Sequence, residues 1–258
     1  MKYCILIKND DLSKEIAAYI RKNIKYSYDD NNPDITIAIG GDGTILQAFH
    51  KNPNSVVFGL HTGHLGFFAN YNPDNVDLLI KDINENEYNI DEMELLSCKI
   101  EEENGSTYLA DAINESTVLS PKKTLILDVK IDGEVLEKYR GTGLCVSTTY
   151  GSTGYNKSLH GAVVDHDLTI MQLSEVASIN SNAYRSLGSP LILSSKRSIT
   201  LESDNPIEVS VSVDNLSYDI KFFKKATFFY QGHVMKMGYH TPEGFIKRIA
   251  RTFIDSGK

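Results

Sequence analysis

The stretch from Asp34 to Phe49 reads DITIAIGGDGTILQAF, and its pattern changes from strand to helix across a glycine-rich turn. Ile35–Ile39 is apolar and rich in β-branched residues, which is typical of a strand covered on both faces. Ile45–Phe49 has the apolar spacing of a helix. A strand, a glycine turn and a helix N-terminus together present backbone amides to a phosphate. The three glycines around Asp42 let a ligand approach the backbone closely; they are Gly40, Gly41 and Gly43.

Two interpretations of this turn stay open. The turn lacks the Gly-Lys-Ser/Thr of a Walker A loop, and its glycine spacing differs from the G-x-G-x-x-G dinucleotide fingerprint. In a structural interpretation, Asp42 or Thr44 only caps the following helix. In a chemical interpretation, Asp42 accepts the proton of an attacking hydroxyl while the glycine amides hold a phosphate.

The composition of the chain limits which binding partners and which cellular location are expected. The chain has 258 residues and a net charge of −8 with a pI near 5.4, which argues against nonspecific binding of nucleic acid or anionic membranes. The apolar run YCILI near the start is too short for a signal peptide or a spanning helix. Cys4, Cys98 and Cys145 are widely spaced in apolar segments, without metal-site spacing. We therefore expect a cytoplasmic protein with reduced cysteines and no nucleic-acid or membrane partner.

Residues 1–90 are predicted to form an α/β domain that contains the glycine turn. Strand patterns at YCILIK and SVVFGLH alternate with helical patterns at Asp11 to Ile24 and at PDNVDLLIKDI. This alternation predicts a mostly parallel sheet with helices on its faces.

Residues 91–240 are predicted to form a second, β-rich domain. TLILDVKIDGEVLEKY is a hairpin candidate with Asp132-Gly133 at its turn, and one helical pattern interrupts the strands at Leu168 to Ile179. After Thr241 the pattern is helical again, so residues 241–258 are expected to return to the first domain. The predicted fold class is an α/β N-terminal domain plus a β-rich, β-sandwich-like second domain. Four further short strands are expected, at SITLE, IEVSVSVD, YDIKFF and TFFYQ.

Three more segments carry polar groups suited to a ligand. GLHTGHLGF follows the next predicted strand, and its His61 and His64 fit hydrogen bonding or structure better than a zinc site, because no third ligand lies nearby. LADAINEST places Asn114 and Glu115 in a strand-like stretch, where they would point to opposite faces. The segment from Arg140 to Gly161 combines glycines with Ser and Thr hydroxyls, which suggests a polar ligand against the backbone.

Taken in order, these motifs resemble those of bacterial NAD kinases. The resemblance rests on GGDGT at 40–44, HTGHLGF at 61–67, NE at 114–115, GSTGYNKSL at 151–159 and MQLSEVASINSNAYRSLGSPLIL at 171–193. The first motif is shared with lipid kinases and phosphofructokinases, whereas the ordered set is specific. The resemblance implies transfer of a phosphoryl group from ATP to NAD with a divalent metal, Mg²⁺, in a homodimer or homotetramer. No residue is predicted to bind a metal ion directly.

The resemblance also implies roles for individual residues. Asp42 would be the general base that activates the 2′-hydroxyl of the adenosine ribose, and Asn114 with Glu115 would hold ribose and base. Tyr184 would reach the site of a neighbouring subunit. The remaining residues expected to bind NAD or nucleotide are Gly41, Gly43, Thr44, Leu65, Phe67, Phe68, Arg140, Thr142, Tyr150, Thr153, Gly154, Tyr155, Ser158, Ala177 and Asn215.

The chain departs from the family pattern at several positions around base recognition, while the GGDGT loop is intact. The departures include Thr142, Tyr150, Gly154, Asp165 and Asn215. The leading hypothesis is an ATP-dependent NAD kinase. The alternative is a dinucleotide-binding regulatory paralogue with weak activity, and a kinase acting on a lipid or sugar phosphate comes third.

Overall fold

The computed structural model describes residues 1–63, 66–120 and 122–255, and these form two compact units. The first unit is Met1–Met93 together with the chain from Val234 onward, and the second is Glu94–His233. The predicted fold class is confirmed, because the first unit is α/β with a C-terminal helix and the second is β-rich. No helix within the described ranges combines the length and apolar character needed to cross a membrane.

The elements are numbered here in chain order. The strands are β1 (Lys2–Ile7), β2 (Ser27–Tyr28), β3 (Ile35–Gly40), β4 (Val56–His61), β5 (Asn89–Glu102), β6 (Thr107–Ala112), β7 (Glu115–Leu119), β8 (Leu125–Ile131), β9 (Glu134–Gly141), β10 (Gly143–Thr148), β11 (Ile170–Val176), β12 (Leu191–Ser194), β13 (Ile199–Val213) and β14 (Leu216–Tyr239). The α-helices are α1 (Asp11–Asn23), α2 (Asp42–Lys51), α3 (Val76–Glu85), α4 (Tyr155–Ser158) and α5 (Phe245–Ile249). Short 3₁₀ turns cover Pro73–Asn75 and Tyr150–Thr153, and a π-helical turn covers Ala250–Ile254.

The first unit is built on a parallel sheet in the order β2-β1-β3-β4. All six residues of β3 are buried. Ile35, Ile37 and Ile39 pack in one core with α1 and α3, as alternating residues on one face of a strand should. The Thr36 hydroxyl, between them in the sequence, lies 2.7 Å from the Ser55 hydroxyl. The strand is therefore covered on both faces, as its sequence predicts.

The second unit is antiparallel in the order β12-β11-β10-β7-β13, with the β8–β9 hairpin paired to β13 and the β5–β6 hairpin beside it. Its core gathers side chains from nearly every strand, with Tyr139, Phe223 and Phe228 among the largest that are fully buried. The predicted hairpin is confirmed. Asp132 and Gly133 both have positive φ, 52° and 87°, as a two-residue turn of matching twist requires.

The helix predicted for Leu168 to Ile179 is wrong, because Ile170–Val176 forms strand β11 between β10 and β12. Met171 and Leu173 lie in the core, while the intervening Gln172 is also buried and bonds the backbone of Ala162. Met171 to Ser174 do alternate between apolar and polar residues, but Glu175 and Val176 break the alternation, and so short a stretch also fits a helical spacing.

Two further boundaries differ from the sequence expectation. SITLE and IEVSVSVD belong to one strand, β13, whose pairing with β14 shifts register between Glu202 and Val209. YDIKFF and TFFYQ likewise belong to β14. The C-terminal helix is shorter than 241–258, since α5 covers Phe245–Ile249 and continues as a π-helical turn.

Candidate functional site

The glycine turn joins β3 to α2, as predicted. A Cβ atom on Gly40 would lie 2.3 Å from the Thr44 hydroxyl oxygen, so this position has no room for a larger residue. Among the described residues, a Cβ atom on Gly41 or Gly43 would meet nothing within 4 Å. This space is what a loop that a ligand approaches requires.

Asp42 does not cap its own helix, so the capping interpretation of this residue is wrong. The N-cap of α2 is Gly41, and no side-chain hydrogen bond caps that end. The Asp42 carboxylate instead accepts hydrogen bonds from two backbone amides, with 2.8 Å from Phe67 N to Oδ2 and 3.1 Å from Phe68 N to Oδ1. Each carboxylate oxygen keeps a further lone pair for a substrate hydroxyl.

The loop that carries these amides packs directly against the carboxylate. A Cβ atom on Gly66 would lie 2.1 Å from Asp42 Oδ1, so only glycine fits at this position. Phe67 and Phe68 are buried, at 7% and 5% exposure, and anchor the loop. The first and second glycine-rich motifs thus meet at Asp42. Leu65 and His64 lie outside the described residues.

An arginine of the C-terminal helix holds the same loop. Arg248 donates from Nη1 to the Phe67 carbonyl and from Nη2 to Asn70 Oδ1 at 3.1 Å. Burial lowers the pKa of the Arg248 guanidinium, while the nearby Glu243 carboxylate acts in the opposite direction. The sequence analysis missed Arg248, because nothing in the local pattern of α5 distinguishes it from the other basic residues of that helix.

His61 makes a local contact. Its Nδ1 lies 3.2 Å from the Gly63 carbonyl oxygen, and burial lowers the pKa of the ring below its usual value. Within residues 1–63, 66–120 and 122–255, no group of three or more His, Cys, Asp or Glu side chains is placed to hold a metal ion.

In the second unit, Asn114 and Glu115 are held by an aspartate that the sequence analysis did not select. Asp214 lies at the turn between β13 and β14 with a φ of 50°. Its carboxylate accepts from the backbone amides of Ile113, Asn114 and Glu115, at 2.8, 2.8 and 3.3 Å. The prediction that Asn114 lies in a strand is wrong, because β6 ends at Ala112 and β7 begins at Glu115. Asp214 fixes the bend between them.

Glu115 has an unusual environment for a carboxyl group. Burial, together with the charge of Asp214, raises the pKa of Glu115 from its usual 4.5 to about 8. Its Oε2 is buried and has no hydrogen-bond partner among the residues described. The same oxygen would lie 3.0 Å from a Cβ atom on Gly154. A hydroxyl or amine of a ligand would satisfy this oxygen, which a purely structural carboxyl would not require.

The GSTGYNKSL segment packs against Asn114 and Glu115. Thr148 Oγ1 donates to the Ile113 carbonyl at 2.5 Å and accepts from the Gly151 amide at 3.1 Å. A Cβ atom on Gly151 would lie 2.0 Å from the Asn114 carbonyl oxygen, so the backbone of Gly151 packs directly against the backbone of Asn114. Farther along this segment, Thr153 is half-buried, and Tyr155 and Ser158 are exposed.

The other residues of this unit that were predicted to bind nucleotide lie in different local surroundings. Thr142 and Ala177 line one cavity of about 420 Å³. Arg140 stacks on Tyr184, with 4.0 Å from its guanidinium carbon to the ring centroid. Tyr150 packs on the ring of His166 at 4.8 Å between centroids, and Asn215 is exposed beside Asp214.

Comparisons with known proteins agree on one family. Sequence models of the ATP-NAD kinase N-terminal and C-terminal domains match residues 9–88 and 113–226. An NAD kinase of Lysinibacillus sphaericus is 36% identical over 261 residues, covering 98% of this chain and 99% of the relative.

Two solved structures share the fold. Yeast NADH kinase complexed with NADH aligns with a TM-score of 0.83 and 20% identity, covering 100% of this chain and 89% of that one. An NAD kinase from Archaeoglobus fulgidus in complex with ATP aligns with a TM-score of 0.76 and 24% identity, covering 98% of both chains.

Proposed function

Because the chain belongs to the NAD kinase family, we propose that it transfers the γ-phosphoryl group of ATP to the 2′-hydroxyl of the adenosine ribose of NAD, giving NADP. The observation that carries this proposal is the Asp42 carboxylate, held by the amides of Phe67 and Phe68 beside the open space at Gly41 and Gly43. A residue that only caps a helix would bond the amides of its own helix, whereas Asp42 bonds the amides of a separate loop.

In the proposed reaction, Asp42 accepts the proton of the ribose 2′-hydroxyl. The hydroxyl oxygen forms a bond to the γ-phosphorus of ATP, and the bond from that phosphorus to the bridging oxygen of ADP breaks. The amides at the start of α2 face the region where phosphate charge develops, and Thr44 adds a hydroxyl to the same turn. Asp42 then releases its proton to solvent.

Recognition of ribose and base is assigned to residues of the second unit. Glu115 Oε2 and the Asn114 side chain would bond ribose and base, since Glu115 carries an unsatisfied buried oxygen. The other residues proposed to bind NAD or nucleotide are Gly41, Gly43, Thr44, Leu65, Phe67, Phe68, Arg140, Thr142, Tyr150, Thr153, Gly154, Tyr155, Ser158, Ala177, Tyr184 and Asn215.

The co-substrate is proposed to be ATP carrying Mg²⁺. A related NAD kinase was solved with ATP, which supports this donor. The described part of the chain offers no cluster of three metal ligands, so the phosphate oxygens would supply most of the coordination of Mg²⁺. The metal then arrives as part of the substrate.

We further propose a cytoplasmic homodimer or homotetramer. The three cysteines are free and buried, which suits a reducing compartment. Tyr184 is 44% exposed and stacked by Arg140, and both residue types are enriched at interfaces. Light scattering should give a mass of two or four chains, and a mass near 28.8 kDa would exclude oligomerisation.

The proposed reaction is tested with purified protein, NAD, ATP and Mg²⁺, by measuring NADP formation. The Asp42→Asn variant should bind NAD but lose about 10²–10⁴-fold in rate, because an amide cannot accept the proton. Turnover near that of the wild type in this variant would disprove the role of Asp42. A wild-type protein that binds NAD without forming NADP would instead support the regulatory paralogue.

A further inference from the structure

We propose that Arg248 is a positioning residue for Asp42, acting through the peptide group that joins Phe67 to Phe68. This inference rests on the proposed function, in which Asp42 is the general base. It assigns the C-terminal helix α5 a part in the reaction, although none of its side chains touches the reacting atoms in the assignment above.

The contacts form a continuous series from α5 to the carboxylate. The guanidinium of Arg248 donates to the Phe67 carbonyl oxygen. That carbonyl belongs to the same peptide group as the Phe68 amide, which donates to Asp42 Oδ1 at 3.1 Å. The preceding amide, of Phe67, donates to Oδ2 at 2.8 Å. One cation therefore reaches one carboxylate through a single peptide group.

The positive charge of Arg248 strengthens the hydrogen bond from the Phe68 amide to Asp42. A hydrogen bond to a carbonyl polarises its peptide group and strengthens the N–H on the opposite side as a donor. The donor to the Phe67 carbonyl is a guanidinium, and charge-assisted hydrogen bonds are about twice as strong as neutral ones. Arg248 therefore favours the peptide orientation in which the Phe68 amide points at Asp42.

Arg248 is itself fixed in place. Its side chain is only 15% exposed, and its Nε lies 3.7 Å from Glu243 Oε2. Its second terminal nitrogen, Nη2, donates to Asn70 Oδ1 at 3.1 Å, so the planar fork spans two sites on one loop. Glu243 is held in turn by Arg251, at 2.8 Å from Nη1 to Oε1. A guanidinium with this degree of burial and this many partners has little freedom to swing away.

Loss of Arg248 should leave the peptide group free to rotate and the carboxylate less well aimed. The loop packs closely on the carboxylate, since a carbon built on Gly66 would lie 2.1 Å from Oδ1, so a shift of the loop also displaces the amides from Asp42. Misplacement of a catalytic group by about 1 Å can cost 10²-fold in rate, while the groups assigned to the dinucleotide in the second unit are unchanged. The expected signature is a fall in kcat that is much larger than any rise in KM for NAD, since Phe67 and Phe68 of the same loop are also proposed to bind nucleotide.

The test compares three variants with the wild type. Arg248→Met keeps the length of the side chain and removes its charge and donors. Arg248→Lys keeps the charge without the planar fork. Lys247→Met is the matched control, because it removes a positive charge from the neighbouring, exposed position of the same helix. The measurements are kcat and KM for NAD, and hydrogen–deuterium exchange of residues 66–70 by mass spectrometry.

The proposal predicts a kcat about 10²-fold lower in Arg248→Met and about 10-fold lower in Arg248→Lys, with faster exchange at residues 66–70 in both. Lys247→Met should match the wild type in all measurements. If Arg248→Met does not fold, Arg248→Lys decides by the same criteria. Unchanged exchange at 66–70, or faster exchange with unchanged kcat, would overturn the proposal.

The hydrogen–deuterium exchange measurement tests the role of Arg248 even if the protein is not an NAD kinase. Absence of NADP formation by the wild type would refute the kinase assignment, whereas exchange at 66–70 would still report whether Arg248 holds the loop. Slow exchange in the wild type that persists in both Arg248 variants would overturn the inference even in a fully active enzyme.

Discussion

The two carboxyl groups that the sequence singles out have opposite surroundings. Asp42, in the first unit, accepts two backbone amide hydrogen bonds in a loop braced by a cation. Glu115, in the second unit, has a buried oxygen without a partner in the described part of the chain and a second carboxylate, Asp214, nearby. The first arrangement fixes a charged group in one orientation, and the second leaves a hydrogen-bonding group to be completed by a ligand. Chemistry and recognition are therefore assigned to different carboxyl groups.

The orientation of Asp42 is most directly disturbed at Gly66. In Gly66→Ala, the added carbon would lie 2.1 Å from Oδ1 and displace the carboxylate from its amides. We expect kcat to fall about 10²-fold, because the base no longer points at the hydroxyl. Steady-state kinetics with NAD check this.

Gly63→Ala is the matched control, since a Cβ atom at Gly63 meets none of the described residues within 4 Å. It should keep the wild-type kcat. Equal kcat values for Gly66→Ala and Gly63→Ala would show that Asp42 is not a base held in one orientation.

The bend that presents Asn114 and Glu115 depends on Asp214. Asp214→Asn keeps a residue type that tolerates positive φ, but its amide nitrogen cannot accept the hydrogen bond from Ile113. We expect a loss of about 2 kcal/mol in the free energy of unfolding, as for a hydrogen bond to a charged group.

Urea unfolding measures this change, with Asp219→Asn on the same strand β14 as the exposed control. Equal stability of the two variants would mean that the aspartate does not hold the bend.

The environment of Glu115 predicts a pH dependence of stability. The pKa of Glu115 is about 8 in the folded protein and near 4.5 otherwise, so between these values the folded state retains a proton that the unfolded state releases. This contribution is fully present below pH 4.5 and is lost as pH rises through 8. Glu115→Gln removes the dependence.

Relative to the wild type, Glu115→Gln should therefore gain about 4 kcal/mol in unfolding free energy between pH 5 and pH 8.5. Denaturant unfolding at both pH values checks this gain. Glu134→Gln, at an exposed position, serves as the control. A constant difference between Glu115→Gln and the wild type would contradict the burial of this carboxyl.

The smallest expected effect concerns Thr142, which lines the same cavity as Ala177. If the base of NAD approaches this cavity, Thr142→Asp adds a charged acceptor for an exocyclic amine. KM for NAD should then fall about fivefold, which corresponds to about 1 kcal/mol of binding free energy. A change in kcat instead of KM would place Thr142 outside base recognition.

Local patterns predicted much of the fold and the turn that carries Asp42. The strand–turn–helix at Asp42 and the hairpin at Asp132-Gly133 depend on residues adjacent in sequence. The helix expected at 168–179 was wrong because the alternation of strand β11 covers only Met171 to Ser174, which is too short to exclude a helical spacing. The partners of the site residues could not be found this way. Asp214 binds Asn114 across 100 residues, and Arg248 binds Phe67 across 181, so only the tertiary structure brings them together.

The assignment of catalysis to Asp42 and of recognition to Glu115 is tested most directly by measuring kcat and the dissociation constant for NAD in Asp42→Asn and Glu115→Ala side by side. Asp42→Asn should lose about 10²–10⁴-fold in kcat and keep its affinity for NAD. Glu115→Ala should keep kcat and bind NAD more weakly by about 1–3 kcal/mol. Loss of affinity without loss of kcat in Asp42→Asn, or loss of kcat without loss of affinity in Glu115→Ala, would contradict the account.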